Sequence, residues 1–177
     1  MREKSQIRNE IKIRKRQFTE SQLKELSLAI INKLLKHPKI KNARTILMYY
    51  SLPDEVYTHT AIMQLANEGK EILLPAVINN FEMVLRKYTP NEDMQDGAFN
   101  IKEPMGEEYT KMDKIDVAVI PAIAYDSTKN RIGRGKGYYD RFLKKNPKIY
   151  KIGICFDFQK FVQLPTDPND IPVDEVI

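Results

Sequence analysis

Residues 115–125 read IDVAVIPAIAY. The run is almost unbroken in apolar side chains, yet far shorter than the ~20 residues needed to cross a bilayer. A short apolar run without alternation predicts a strand buried on both faces, and burial on both faces requires helices above and below the sheet. Segments on either side supply them. TILMYY (45–50), EILLPAV (71–77), EMVLRKY (82–88) and KIYKIGICFDF (148–158) read as further strands. THTAIMQLANEG (58–69) suits a helix capped by Thr58 and stopped by Gly69, and Tyr138 to Lys145 suits another. The alternation predicts a three-layer α/β domain with a mainly parallel sheet and helices on both faces. Residues 89–112 show little periodicity and read as one long loop.

Two helices are expected before the first strand. In residues 3–17, Ile7, Ile11, Arg14 and Phe18 follow a helical spacing that brings Arg14 close to the apolar stripe, while Lys4, Arg8 and Lys12 share another face. Thr19 and Gln22 form a capping box for a second helix, with Leu23, Leu26, Ile30 and Leu34 on its inner side. It should end near His37, because Pro38 disfavours helical geometry in the residue before it.

The chain has 177 residues, 42% of them hydrophobic, which is enough for a single domain over 1–177. No apolar signal segment follows the basic N-terminus, and one cysteine, Cys155, excludes an intrachain disulfide or a multi-cysteine metal cage. A cytoplasmic protein is expected. The formal charge of +5 is concentrated in residues 1–16, where seven Lys and Arg face Glu3 and Glu10; the remainder is neutral. That distribution favours a local anion site over a generally basic surface. His37 and His59 have no Ser or Cys beside them that would suggest a hydrolase triad, and with one cysteine they make a poor zinc site.

Beyond the central strand, residues 131–141 read RIGRGKGYYDR and spend three of the chain's 7 glycines. Consecutive backbone N–H groups in such a turn form an anion-binding nest, and the next helix adds its positive end. Arg131, Arg134 and Lys136 add full charges. The Walker pattern is absent, since Gly137 follows Lys136, and Tyr138 breaks the dinucleotide fingerprint. KGYY also begins like an RNA-recognition core but departs at Asp140. The residues alone leave open a phosphate cradle, a solvated turn and an aromatic RNA platform. Asp140 suits either the helix dipole or a magnesium ion beside phosphates. Tyr138 and Tyr139 suit either packing or contact with a planar heterocycle. In parallel sheets ligands gather at the carboxyl ends of strands, and the loops leaving them here are SLPDE, the glycine segment and the Pro/Asp-rich tail.

R-I-G-R-G-K-G-Y-Y-D-R resembles the signature of the 5-formyltetrahydrofolate cyclo-ligase family. Further pieces agree in order along nearly the whole chain: Lys4 with Arg8, then D-E-V-x-T (Asp54, Glu55, Val56, Thr58) and Glu103–Pro104. P-A-I-A-Y-D and the terminal N-D-I-P-V-D-E-V complete the set. One position departs, since Lys129 stands where the family usually has glycine. The resemblance implies a Rossmann-like fold related to those of sugar-phosphate isomerases and CoA transferases. It also implies a monomer that needs neither nucleic acid nor membrane, with 5-formyltetrahydrofolate, ATP and Mg²⁺ as its ligands. In the implied reaction the formyl oxygen attacks the γ-phosphate, giving ADP and a phosphorylated imidate-like intermediate. N10 then closes the ring and phosphate leaves, yielding 5,10-methenyltetrahydrofolate. The implied ATP contacts are Lys4, Arg8 and the loop Arg131, Gly133, Arg134, Gly135, Lys136, Gly137, Tyr138 and Tyr139, with Arg134 and Lys136 catalytic. Tyr50, Glu55 and the stretch from Arg134 to Tyr138 would meet the folate. Asp140 and Asp170 would meet the metal, with Asp174 competing for the second place. A non-catalytic RNA-binding protein is the alternative, and an isomerase or acyl-CoA transferase on a related fold is the third.

Overall fold

The computed structural model describes residues 2–177. Its helices are α1 (Lys4–Lys15), α2 (Glu20–Lys36), α3 (Pro38–Asn42), α4 (His59–Asn67) and α5 (Tyr138–Lys145). The first strands are β1 (Thr45–Leu47), β2 (Glu71–Val77), β3 (Met83–Lys87), β4 (Met94–Asp96), β5 (Lys102–Pro104) and β6 (Glu108–Tyr109). They are followed by β7 (Val117–Ile120), β8 (Ala124–Asp126), β9 (Arg131–Ile132), β10 (Tyr150–Gly153), β11 (Lys160–Phe161) and β12 (Glu175–Val176). Among the described residues no helix is long and apolar enough to cross a membrane.

Seven strands form the main sheet in the order β12-β10-β7-β1-β2-β3-β6. From β12 to β2 all neighbours are parallel, and β3 is antiparallel to both β2 and β6. Alternate residues face opposite layers. Ile46, Ile72, Val117 and Ile152 pack with Leu34 of α2, Ile40 of α3 and Ile62 of α4. Leu47, Leu73, Ala118 and Ile120 pack with Phe142 and Leu143 of α5. The mainly parallel, three-layer expectation therefore holds. Each fully buried Leu or Ile contributes about 1.5–3 kcal/mol to this core.

The run 115–125 is not one strand. Residues 117–120 are fully buried in the main sheet, but 124–126 join a separate three-stranded sheet ordered β11-β8-β9. Pro121 stands at the break, with no N–H to continue a ladder. Tyr125 turns back under the main sheet, fully buried, and its hydroxyl donates to the Ile120 carbonyl. Gly153 makes room for it: a Cβ there would lie 2.5 Å from the Tyr125 ring. The strand read at 148–158 likewise ends at Gly153, after which Cys155 is buried in the core and β11 joins the small sheet.

Other boundaries shift for local reasons. β1 stops at Leu47, although the Met48 amide still donates to Leu73. Thr58 is the N-cap residue of α4, but its hydroxyl makes no capping bond; it donates to the Tyr49 carbonyl and accepts from the Ser51 amide. The α2 capping box forms as expected, with the Thr19 hydroxyl accepting from the Gln22 amide. On α2, however, Leu26 is exposed and Ser27 is buried, its hydroxyl bonded to Leu23 and to the Tyr57 amide. On α1 the third buried position is Lys15, not Arg14, which instead donates to the Phe158 carbonyl and lies over Phe161. Residues 89–112 contain β4, β5 and β6, too short and polar to show a period.

The turn from β8 to β9 is organised by Asp126. Its buried carboxylate accepts from the amides of Thr128, Asn130 and Leu164 and from the side chains of Thr128 and Asn130. Burial alone would raise its pKa, but these donors outweigh that and hold it below the usual value. The stability it contributes is complete above the ordinary carboxylate range and is lost as pH falls through the depressed folded value. Asp126→Asn should cost about 2–3 kcal/mol by turning an amide toward these donors. Thermal denaturation should show a lower midpoint at pH 7 and a shallower acid decline than in the parent.

Candidate active site

Above the carboxyl ends of β1 and β7 lies a cavity of about 810 Å³. One wall is apolar and includes Pro75, Val77, Met83, Phe99 and Ile101. The opposite wall is charged and is built by α1, the glycine segment and the tail. Such a cavity suits a flat organic ligand on one side and an anion on the other.

The glycine segment owes its shape to backbone geometry. Gly135 (φ +104°) and Gly137 (φ +71°) are left-handed, the conformation that favours glycine. Gly137 immediately precedes α5, and a Cβ there would meet the Arg141 guanidinium at 2.7 Å. Gly133 is held differently, its carbonyl accepting from Arg8 Nε at 2.8 Å. Arg134 and Lys136 are exposed at the rim. Arg134 faces Glu55 at 3.6 Å and Asp54 at 3.8 Å. Tyr138 donates to the Asn79 carbonyl, and Arg141 lies over its ring.

Arg131 and Tyr139 also line the cavity, but the Arg131 guanidinium is partly engaged by the protein. The Arg131 side chain is only 4% exposed and is bonded through Nη2 to Asp140 Oδ1 at 2.8 Å. Its guanidinium also rests on Tyr139, whose hydroxyl burial pushes well above the usual range. Arg131 and Tyr139 therefore form the base of the loop, while Arg134, Lys136 and Tyr138 form its face.

α1 supplies two further cations. Lys4 Nζ donates to Asp167 at 2.6 Å and Asp170 at 2.5 Å; burial alone would lower its pKa, but the two carboxylates raise it. Arg8 spans from the helix to Gly133. On the other side Glu55 is largely buried, its Oε1 accepting from the Leu52 amide at 2.9 Å. Burial raises its pKa, opposed by Arg134 and by that amide. Tyr50 lies nearby in the same cavity, its phenol pKa raised by burial.

Asp140 and Asp170 both line the cavity, whereas Asp174 accepts from the Lys151 amide and pairs with Lys151 Nζ at 3.3 Å. Asp140 Oδ1 takes both Arg131 and the Ile171 amide, and Asp170 Oδ2 takes both Lys4 and the Asp167 amide. In each carboxylate the second oxygen has no protein donor among the described residues. No cluster of three or more metal-ligating side chains occurs among them either. A magnesium ion needs no such cluster, because it takes one or two carboxylates together with phosphate oxygens. The donor set fits that ion.

Sequence reasoning assigned no site role to several groups here. Lys15 reaches the cavity from a buried position and meets Asp54 at 3.3 Å; its signal was a cation four residues after Ile11 on the apolar stripe. Glu103 is buried, accepts from the Val77 amide, and packs against Gly97 so closely that a Cβ there would come within 2.1 Å. Asp167 carried no signal beyond that of a turn former.

Residues 1–177 match the 5-formyltetrahydrofolate cyclo-ligase family. The mouse (Mus musculus) 5-formyltetrahydrofolate cyclo-ligase is 31% identical, covering 97% of this chain and 91% of its own. Among solved structures, the 5,10-methenyltetrahydrofolate synthetase of Aquifex aeolicus superposes with TM-score 0.83 at 34% identity, covering 98% of this chain and 88% of that one. A Mycoplasma pneumoniae 5,10-methenyltetrahydrofolate synthetase gives 0.80 at 25% identity, covering 99% and 98%.

Lys129, where the resemblance expects glycine, has φ +70° in the turn leading to β9. A left-handed conformation costs a side chain-bearing residue roughly 1–2 kcal/mol, partly offset by the freedom glycine gains when unfolded. Lys129→Gly should therefore stabilise the fold by up to about 1 kcal/mol, or ~2–4 °C in Tm. Calorimetry on the two proteins reads this directly, and a lower Tm would contradict it.

Proposed function

The chain belongs to the 5-formyltetrahydrofolate cyclo-ligase family, and on that premise we propose that it converts 5-formyltetrahydrofolate to 5,10-methenyltetrahydrofolate using ATP and Mg²⁺. The observation that carries this reading is the meeting, around one cavity, of the glycine loop, the α1 cations and two half-engaged carboxylates with a buried acid opposite.

The left-handed glycines and the N-terminus of α5 offer backbone N–H groups to phosphate oxygens. Lys4, Arg8, Arg134 and Lys136 add charge from two directions. Arg131 and Tyr139 support the loop from beneath, so its geometry is set before a ligand arrives. Asp140 and Asp170 would hold the magnesium ion, which supplies charge neutralisation on phosphate oxygens when bound. Glu55 accepts hydrogen bonds from the pterin N–H groups, and Tyr50 lies against the folate.

The formyl oxygen is a weak nucleophile, so the reaction depends on alignment and on charge neutralisation more than on a strong base. Arg134 and Lys136 stabilise charge on the γ-phosphoryl as that oxygen attacks and ADP leaves. The product is a phosphorylated imidate-like intermediate. N10 then attacks the activated carbon and loses its proton, the C–O bond breaks so that phosphate departs with the formyl oxygen, and the ring closes. The apolar wall limits water at the activated carbon, where hydrolysis would compete with closure.

Purified protein mixed with 5-formyltetrahydrofolate and MgATP should show the ultraviolet shift of a conjugated methenyl bridge, with none when nucleotide or magnesium is omitted. ADP release indifferent to the folate would contradict the proposal. Glu55 provides a second test. Its acceptor role needs the ionised form, and its pKa is raised, so folate KM should climb as pH falls through a value above the ordinary carboxylate range. Glu55→Gln should raise folate KM about tenfold and abolish that acid limb. An unchanged pH profile would remove Glu55 from the assignment.

A further inference from the structure

We propose that His59, which lies outside every segment carrying the family resemblance, is a positioning residue that fixes Tyr50 in the folate subsite. The inference rests on the reading above that Tyr50 touches the folate. Tyr50 follows β1 and faces the cavity, and its hydroxyl has no hydrogen-bond partner among the described residues. Packing alone orients its ring.

Tyr50 packs against the core below the sheet ends, and its ring face is covered by His59. The imidazole is parallel to the Tyr50 ring, with centroids 3.6 Å apart and planes 10° from parallel. At this separation the faces are in contact and the phenol cannot tip without parting from the imidazole. The imidazole is itself anchored. It belongs to the first residue of α4, its Nε2–H donates to the Ser51 carbonyl at 2.9 Å, and Tyr57 lies against it at 4.7 Å. Ser51 follows Tyr50 directly, so one ring holds both the Tyr50 side chain and the backbone beside it.

The surroundings keep that ring neutral. Burial lowers the His59 pKa, opposed by the Ser51 carbonyl, and Lys24 of α2 acts in the same direction as burial. The N-terminal end of α4 also disfavours a cation. A neutral ring stacks without having to bury a charge beside Tyr57. Tyr88, Tyr57 and Lys102 also act electrostatically on the Tyr50 hydroxyl. A substrate ring laid against Tyr50 would thus meet a surface backed by a fixed imidazole.

The test is steady-state kinetics on the full chain, with Tm recorded for every variant. His59→Ala should raise the KM for 5-formyltetrahydrofolate about fivefold, leaving kcat and the KM for ATP within about twofold. His59→Phe retains the stack and should recover most of the loss. His59→Gln retains only a donor toward Ser51 and should not. In a Tyr50→Ala background, His59→Ala should add nothing. If Tyr50→Ala leaves the folate KM unchanged, the assignment of Tyr50 to the folate fails and takes this inference with it. If Tyr50→Ala raises that KM while His59→Ala does not, or if the two losses are additive, the role of His59 alone is overturned. Better recovery by Gln than by Phe likewise refutes the stack, even if His59→Ala proves unfolded.

Discussion

Three cations of the first helix each hold a different loop, and the geometry of the cavity depends on all three. Lys4 binds the tail through Asp167 and Asp170, Arg8 binds the glycine segment at the Gly133 carbonyl, and Lys15 meets Asp54 in the loop after β1. The helix itself is fixed by Ile7 and Ile11, which pack with Ala124 and Ile132 of the small sheet and with Leu164. Apolar burial thus sets the position of the helix, and its cations transmit that position to loops between 39 and 166 residues away. Partly buried cations require such partners, since an uncompensated charge there would cost several kcal/mol. The N-terminal charge concentration is accordingly a device of assembly.

The second constraint is the break at Pro121. Beyond it Tyr125 folds back beneath the sheet into the space left by Gly153, and β8 and β9 form a platform beside the strand ends. Asp126 holds the turn between them and also reaches the Leu164 amide, joining the tail to the same platform. Arg131 leaves that platform to support Asp140 at the start of α5. The glycine loop is thereby braced by Arg8 at Gly133, by Arg131 at Asp140 and by Arg141 at the Lys136 carbonyl.

Much of the layered arrangement was legible because continuous apolar strands and helical spacing report burial locally. The α2 capping box and the existence of the apolar strands, though not the ends of 115–125 and 148–158, were read correctly for that reason. The misreadings share a different cause. Arg14 and Lys15 are adjacent, and only the docking angle of α1 decides which one turns inward. Residues 89–112 form strands stabilised by pairing partners and by Glu103, none of which their own spacing reveals. Asp170 and Asp174 were indistinguishable in sequence because both sit in a Pro/Asp-rich tail. Lys151, from a neighbouring strand, occupies Asp174 and leaves Asp170 beside Lys4. His59 illustrates the same point, since nothing in its sequence neighbourhood indicates that its ring would meet Tyr50 face to face.

By itself the sequence determined the layered α/β class, the positions of most elements and the family, because hydrophobic periodicity, capping residues and an ordered set of motifs are properties of short stretches. Only the tertiary structure decided which protein groups engage each cation around the cavity, which tail aspartate lines it, and where the central run leaves its sheet. Those outcomes depend on distances between residues remote along the chain, and such distances are set by packing that no local pattern encodes.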